Sequence, residues 1–153
     1  MPRFYKKYPK YSASKDKYSV EQRAGEVAVG AEGAQNIVIV PPSDLQGMRK
    51  VKHMTVSLAE TTAETYIFWA LVYVPQGTLP NALDVTAGPN SMYEPNQYVI
   101  NCGVADFKAG PVRIGTPLSR NLNSGDSIYL LLKNTTGRAP YIGYTVRYAI
   151  TLQ

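Results

Sequence analysis

Thiol and imidazole side chains are almost absent from this sequence of 153 residues, which contains one cysteine and one histidine. A lone Cys102 excludes an internal disulfide and a thiolate zinc site, and we expect it to be a buried, inert thiol in a strand. His53 has neither a carboxylate nor a nucleophile beside it in the sequence, so no catalytic imidazole is indicated. The cysteine usage is typical of a protein made in a reducing compartment.

Recognisable catalytic and cofactor-binding motifs are also missing. The sequence contains no GxGxxG, no GxxxxGK[ST] and no HExxH. Its acidic residues are scattered and form no calcium loop. No apolar run approaches the roughly 20 residues of a membrane helix, and no apolar segment follows the first basic residues as a secretory signal requires. We therefore predict that the protein is not an enzyme, holds no metal or cofactor, and has no membrane partner.

What the sequence does have is an uneven distribution of charge. Residues 1–18 contain six basic residues and one acid, so they carry +5, which is the net charge of the whole chain. Residues 19–153 contain ten residues of each sign and sum to zero. We call residues 1–18 the arm and residues 19–153 the body. A neutral body with a cationic arm is typical of a protein that holds a polyanion with the arm.

Aromatic residues alternate with cations in the arm. Lysine and arginine bind phosphates, whereas aromatic rings stack on unpaired bases. Two prolines and the lack of an aliphatic run predict that the arm is disordered until it binds. A solubilising tail, or a nuclear localisation signal in KKYPK, is the alternative. The residues predicted to contact nucleic acid are Arg3, Tyr5, Lys6, Lys7, Tyr8, Lys10, Tyr11, Lys15 and Lys17.

Short runs rich in Val, Ile, Thr and Tyr, separated by turn-forming residues, predict an all-β body. Period-two alternation places Met54, Val56 and Leu58 on the inner face of a strand from Lys52 to Leu58. A second alternating strand is predicted at Tyr144–Leu152. Other strands are predicted at Glu26–Val29, Asn36–Val40, Gln97–Cys102 and Val112–Thr116. With the two apolar runs described next, the total is about eight strands, as in a sandwich or jelly roll.

Two predicted strands, Tyr66–Val74 and Ile128–Leu132, are apolar on both faces. Such runs are typical of central strands that are covered on both sides. Their second apolar face predicts either a covering loop or a contact between subunits. The longest connection runs from Pro75 to Pro95 and contains four prolines. We predict that it is a stiff, functional loop.

Four stretches of the body resemble the capsid proteins of circovirus-like viruses with circular, Rep-encoding single-stranded DNA genomes, and in particular those of unclassified environmental members. The stretches are IFWALVYVPQGTLPNAL, SMYEPNQYVINCGVAD, AGPVRIGTPLSRNLNSGDSIYLLL and YTVRYAITL. The resemblance spans about Val51–Gln153. It implies a single eight-stranded jelly roll that self-assembles into the small icosahedral shell of a virion, with the arm facing the packaged genome. It also implies an unknown host receptor and assembly in the host nucleus.

The arm departs from the resemblance, because family arms are commonly longer and dominated by arginine, whereas this arm has one Arg and five Lys. In a closed shell of about 60 copies, the arms would supply on the order of 300 positive charges. A genome of roughly a kilobase or more carries a larger negative charge. We therefore expect the remaining charge to be met by small cations or by basic residues on the inner surface of the shell, for which Arg49, Lys50 and Lys52 are the candidates.

Two other functions remain open from the sequence. A cellular protein that binds single-stranded nucleic acid with its β-domain would have basic and aromatic residues clustered on its strands, and the neutral body argues against it. A lectin-like or cytokine-like jelly-roll module would have a signal peptide, calcium-binding carboxylates or disulfides, and none is present in the sequence. Lysine and tyrosine accept both DNA and RNA, so the assignment to DNA follows from the resemblance alone.

Overall fold

The computed structural model describes residues 17–61, 65–84 and 98–151. Within these ranges the chain forms nine strands and one 3₁₀ turn at Phe107–Ala109, so the predicted all-β class is confirmed. No helix in the described ranges is long and apolar enough to cross a membrane. The strands are β1 (Tyr18–Ala28), β2 (Ala34–Val40), β3 (Arg49–Glu60), β4 (Tyr66–Val74), β5 (Val99–Asp106), β6 (Val112–Thr116), β7 (Arg120–Leu122), β8 (Ser127–Lys133) and β9 (Tyr141–Thr151).

The strands form two antiparallel sheets that enclose one core. The five-stranded sheet has the order β1-β9-β3-β6, with β7 also paired to β3, and the four-stranded sheet has the order β2-β8-β4-β5. Each sheet therefore interleaves strands from the beginning and the end of the chain. This is the strand order of a jelly roll, in which eight strands form two facing sheets. The predicted jelly-roll sandwich is confirmed, and β7 is an additional strand of three residues.

The core lies between the sheets and is built by alternating residues. In β3, Met54, Val56 and Leu58 are at most 2 % exposed, as predicted. In β9, the inward residues Val146, Tyr148 and Ile150 are also buried. Burying a side chain of this size stabilises the fold by about 1.5–3 kcal/mol relative to leaving it in water. The alternation along these two strands therefore fixes which faces meet in the core.

A β-bulge keeps the core face of β3 in register. Val51 and Met54 are both fully buried although they are three residues apart, a spacing that would place them on opposite faces of a regular strand. The pairing of β3 with β9 shifts between Lys52 and Thr55, and His53 there has a positive φ of 54°. The extra residue restores the inward direction of Met54. The side chain of His53 is exposed.

The two doubly apolar strands, β4 and β8, are neighbours in the middle of the four-stranded sheet. The structure gives β4 the predicted bounds and extends β8 by one residue at each end. Their second face forms a small cluster with Leu83, which belongs to the segment after β4 and is 2 % exposed. A covering segment therefore shields this face, one of the two predicted alternatives. Residues 85–97, the remainder of the predicted loop, lie outside the described residues.

Three sequence predictions need correction. The first strand begins at Tyr18 and not at Glu26. The sequence pattern missed its start, because β1 is an edge strand that is exposed on both faces and shows no hydrophobic alternation. β5 runs on to Asp106, beyond the predicted end at Cys102. Cys102 itself is only half-buried, because it lies on the outer face of the four-stranded sheet and not in the main core.

Candidate nucleic-acid interface

The outer face of the five-stranded sheet collects cations from three strands. Residues that are opposite each other in neighbouring strands share a face, and the register pairs Thr55 with Arg147 and Ser57 with Arg113. Lys50 and Lys52 lie on the same face, because the alternating residues Arg49 and Val51 are buried. We call the surface formed by Lys50, Lys52, Arg113 and Arg147 the basic face. Its cations come from β3, β6 and β9.

The charge of the basic face is not neutralised by neighbouring side chains. Arg113 and Arg147 are exposed, whereas Lys50 and Lys52 are half-buried. Glu26 of β1 is the one acidic residue among the outward strand positions of this sheet, so these positions sum to +3. Within the described ranges, no ion pair involves any of the four cations. A sheet face with uncompensated positive charge attracts polyanions.

The outer face of the four-stranded sheet is different in charge. Its outward strand positions include one cation, Lys133, and one anion, Asp106. The remaining outward positions are uncharged, and Val38, Tyr66 and Val104 are exposed among them. The body is therefore neutral in sum but not in distribution. This finding removes the argument that a neutral body disfavours direct contact with nucleic acid.

The arm joins the body on the basic face. Tyr18 pairs with Thr151 at the start of β1, so its side chain points to the outer side of the five-stranded sheet. The ammonium nitrogen of Lys52 lies 3.6 Å from the centre of the Tyr18 ring. The Lys50 amide donates to the hydroxyl of Thr151 at 2.9 Å, which fixes the neighbouring backbone. The chain consequently enters the body beside two cations of the basic face.

Of the predicted arm contacts, only Lys17 is among the described residues, and it is exposed. The others lie outside the described residues, as does the predicted disorder of the arm, so their roles stay predictions. They are Arg3, Tyr5, Lys6, Lys7, Tyr8, Lys10, Tyr11 and Lys15.

Arg49, which we grouped with Lys50 and Lys52 as a surface cation, is buried and 9 % exposed. Its Nη2 donates to the carbonyl oxygens of Pro41 at 3.1 Å and Asp126 at 3.3 Å. A buried guanidinium needs hydrogen-bond acceptors within the protein, and these carbonyl groups supply them. Arg49 therefore fastens the start of β8 to the segment after β2, and it is not part of the basic face.

Asp126 organises the end of the sandwich near Arg49. Its carboxylate accepts hydrogen bonds from the Tyr73 hydroxyl at 2.6 Å, the Asn123 amide at 2.8 Å and the Gln76 amide at 3.0 Å. Burial alone would raise the pKa of Asp126, but these hydrogen bonds and the nearby Arg49 guanidinium hold it below its ordinary value. Burial, together with the hydrogen bond to Asp126, raises the pKa of Tyr73 to about 12. Both groups keep their pairing at neutral pH.

A polar cleft of about 330 Å³ adjoins the basic face at this end of the sandwich, and Lys50 belongs to both. The guanidinium of Arg120 lies 4.4 Å from the centre of the Tyr73 ring and adds a second cation to the cleft. Among the described residues, no acidic side chain lines the cleft. The lining residues are Lys50, Tyr73, Ser119, Arg120 and Asn121. Two cations with hydroxyl and amide donors match the chemistry of a phosphate group.

Sequence reasoning missed Arg113, Arg120 and Arg147 as members of one charged region. A signal existed for Arg147, because period-two alternation in Tyr144–Leu152 places it opposite the core-facing residues. Alternation alone does not say which strands share a sheet. The contribution of Arg113 depended on knowing that β6 pairs with β3.

Comparisons with known proteins identify no relative by sequence. No family model matches the chain, and no curated protein matches it. Solved structures match at low identity: the Yersinia pseudotuberculosis-derived mitogen is 13 % identical, with a TM-score of 0.46 over 88 % of this chain and 86 % of that chain. The decameric BFDV capsid protein is 9 % identical, with a TM-score of 0.41 over 91 % and 100 % of the two chains. The infectious bursal disease virus Gx strain structure is 10 % identical, with a TM-score of 0.40 over 90 % and 32 %.

The solved structures thus include a viral capsid protein, a chain from a virus structure and a bacterial mitogen. Likenesses this distant carry no argument about function, because unrelated activities recur on one fold.

Proposed function

We propose that this protein is the coat protein of a small single-stranded DNA virus. Copies of the chain assemble into a closed icosahedral shell, and the arm and the basic face hold the packaged genome. The observation that carries this proposal is the segregation of charge between the two outer faces of the jelly roll. One face sums to +3 and continues into the cationic arm, whereas the other face sums to zero.

A shell protein needs two chemically different sides, because one side meets a polyanion and the other meets solvent. The basic face belongs to the five-stranded sheet, and so does Tyr18, where the arm ends. A single orientation of the subunit would therefore turn the basic face inward and start the arm from the same sheet. The stretches of sequence that resemble circovirus-like capsids support the same assignment. They include β4 and β8, the central strands of the four-stranded sheet, and most of β9, a central strand of the five-stranded sheet.

The charges also bear on how much genome the shell can hold. The arm contributes +5 and the basic face, with Glu26, contributes +3 in each subunit. In a shell of about 60 copies, the two together would supply on the order of 500 positive charges. The basic face thus raises the capacity that the arms alone would give, and small cations would balance the remaining phosphates.

The direct test is expression of the full chain, followed by size-exclusion chromatography, negative-stain imaging and nuclease treatment. We expect closed particles that protect nucleic acid. A variant that neutralises the basic face, Lys52→Gln with Arg113→Gln and Arg147→Gln, should assemble but retain less nucleic acid per particle. A matched control, Lys108→Gln with Lys133→Gln, removes cations elsewhere and should package normally. A stable monomer at micromolar concentration and moderate salt would overturn the proposal.

A second candidate is a cellular protein that binds single-stranded nucleic acid as a monomer. The basic face and the Tyr18 ring beside it favour this function more than the sequence does, since bases could stack on an aromatic residue within a cationic surface. Among the described residues, Tyr18 provides such a ring beside Lys52, and Tyr73 lies in the cleft that Lys50 lines. Sedimentation of the protein with a short oligonucleotide separates the two functions, because a one-to-one complex without particles would favour this candidate.

A further inference from the structure

β1 is a long and regular edge strand of the five-stranded sheet. Its eleven residues pair with β9 without any shift of register. No described strand pairs with its other edge, and every residue from Val20 to Glu26 is exposed. The backbone amides and carbonyls on that edge are therefore accessible to another strand.

The other edges among the described strands are less suited to pairing. β2 has a register shift between Val38 and Val40, and the pairing of β5 shifts opposite Leu71 and Val72. β6 has five residues and β7 has three. Natural proteins prevent edge-to-edge contact with short strands, bulges, prolines and charges. Of these features β1 has only the charges, so its charged residues decide whether a partner strand can pair with it.

The charges of β1 are self-complementary in one antiparallel register. A two-fold axis perpendicular to the sheet keeps outward residues opposite outward residues, so one residue must lie opposite its own copy. The axis lies midway between these two copies, and we describe it as passing through that residue. If the axis passes through Gln22, Glu21 faces Arg23 of the second copy, and Arg23 faces its Glu21. An axis through Glu21 or Arg23 would instead place like charges opposite each other, which is unfavourable.

We propose that β1 pairs with β1 of a second copy of this chain, antiparallel and centred on Gln22. The two five-stranded sheets then form one continuous sheet. Because the axis is perpendicular to that sheet, both basic faces lie on the same side and form a surface with eight cations. The contact rests on the geometry and charges of β1, and it does not require that the surface bind nucleic acid.

Disulfide trapping in the full chain tests the register, with Cys102→Ala as the background. Opposed Cα atoms of antiparallel strands are about 4.5–5.5 Å apart, which is within the range of a disulfide. Gln22 lies opposite itself, so Gln22→Cys should give a disulfide-linked dimer under mild oxidation. Val20 is 60 % exposed on the same face but lies opposite Ala24, so Val20→Cys should stay unlinked. Equal yields from the two variants, or no dimer from either, would overturn the proposal.

Charge reversal tests the pairing independently. Glu21→Arg and Arg23→Glu should each weaken self-association about tenfold, measured by sedimentation, because two attractive pairs become repulsive. The double variant restores opposite charges and should recover the original affinity. Glu21 also accepts a hydrogen bond from the Tyr148 hydroxyl at 3.0 Å, and the double variant still lacks this bond. Recovery therefore reports the intersubunit pair, whereas a double variant as weak as the single variants would contradict it.

Two further outcomes separate this contact from its alternatives. Particles that form normally but give no Gln22→Cys dimer would overturn the β1 contact and leave the proposed coat function standing. An intramolecular disulfide between Gln22→Cys and Tyr11→Cys would show that the arm of the same chain occupies the edge, which would also overturn the contact. A dimer trapped in a protein that forms no particles would support the contact and count against the coat function.

Discussion

The ammonium nitrogen of Lys52 lies 3.6 Å from the centre of the Tyr18 ring, across the intervening strand β9. Ala149, which is opposite both Lys52 and Val20, is small enough to leave room for this contact. The pair attaches the end of the arm to the basic face. The folded body thus contains the same combination of a cation and an aromatic ring that is typical of the arm sequence.

Removing the Tyr18 ring should loosen the start of β1. We expect Tyr18→Ala to lower the free energy of unfolding by about 0.5–1 kcal/mol, the usual value of an exposed cation–π contact. Tyr18→Phe keeps the ring and should unfold at the wild-type denaturant concentration. Urea denaturation measures both variants, and a Phe variant as unstable as the Ala variant would show that the hydroxyl, and not the ring, stabilises the strand.

The salt dependence of binding to single-stranded DNA should be shared between arm and body. The six arm cations and the four cations of the basic face together predict a log–log slope of about −7, at roughly −0.7 for each neutralised phosphate. Deleting residues 2–16 leaves five of these cations, so the slope should fall to about −3.5. The sequence alone predicts a larger loss, because it does not reveal the basic face.

Affinity for an oligonucleotide across a salt series measures both slopes. Adding Lys52→Gln, Arg113→Gln and Arg147→Gln to the deletion should lower the slope further, to about −1.4. If the arm deletion alone abolished the slope, the basic face would make no contact with phosphates. If the deletion left the slope unchanged, binding would belong to the body.

Asp126 should be important for stability, since its carboxylate is the acceptor for one hydroxyl and two backbone amides. We expect Asp126→Ala to lower the free energy of unfolding by about 3 kcal/mol, because three donors lose a charged partner. Asn123→Ala is a suitable control, as Asn123 contributes its backbone amide to this network. Urea denaturation compares the two, and equal stabilities would contradict the assigned role.

The protein should lose stability in alkaline solution as Tyr73 and Tyr148 ionise. Their pKa values are raised to about 12 in the folded protein from 10.0. The folded state therefore keeps its protons where the unfolded state releases them, and the resulting stability is present below pH 10 and lost as the pH rises toward 12. Denaturation midpoints across this range should decline less steeply for Tyr73→Phe with Tyr148→Phe. An equally steep decline in that variant would assign the effect to other groups.

Leu83 should contribute more to stability than its position in a connecting segment suggests. Leu83→Ala opens the small cluster on the second face of β4 and β8 and should cost about 2–3 kcal/mol. Leu79 lies in the same segment but is 86 % exposed, so Leu79→Ala should change stability by less than about 0.5 kcal/mol. Thermal or urea denaturation distinguishes the two variants, and similar values would mean that the segment does not protect the sheet.

Strand predictions succeeded where at least one face of a strand packs on the core. β4 and β6 have the predicted bounds, and the inner face of β3 was predicted residue by residue. Burial imposes a hydrophobic pattern that the sequence records. β1 carries no such pattern because both of its faces are exposed, and β7 has too few residues to form one.

The sequence by itself determined the all-β class, the central strands and the concentration of net charge in the first 18 residues, because these depend on local composition and periodicity. Only the tertiary structure decided where the charges of the body lie. Lys52, Arg113 and Arg147 are far apart in the sequence and come to share one face through the pairing of β3 with β6 and β9. Arg49 is removed from this surface because its acceptors, the carbonyls of Pro41 and Asp126, are supplied by distant parts of the chain. A net charge is a sum over residues, and a sum cannot show that one face of the fold carries an excess of positive charge.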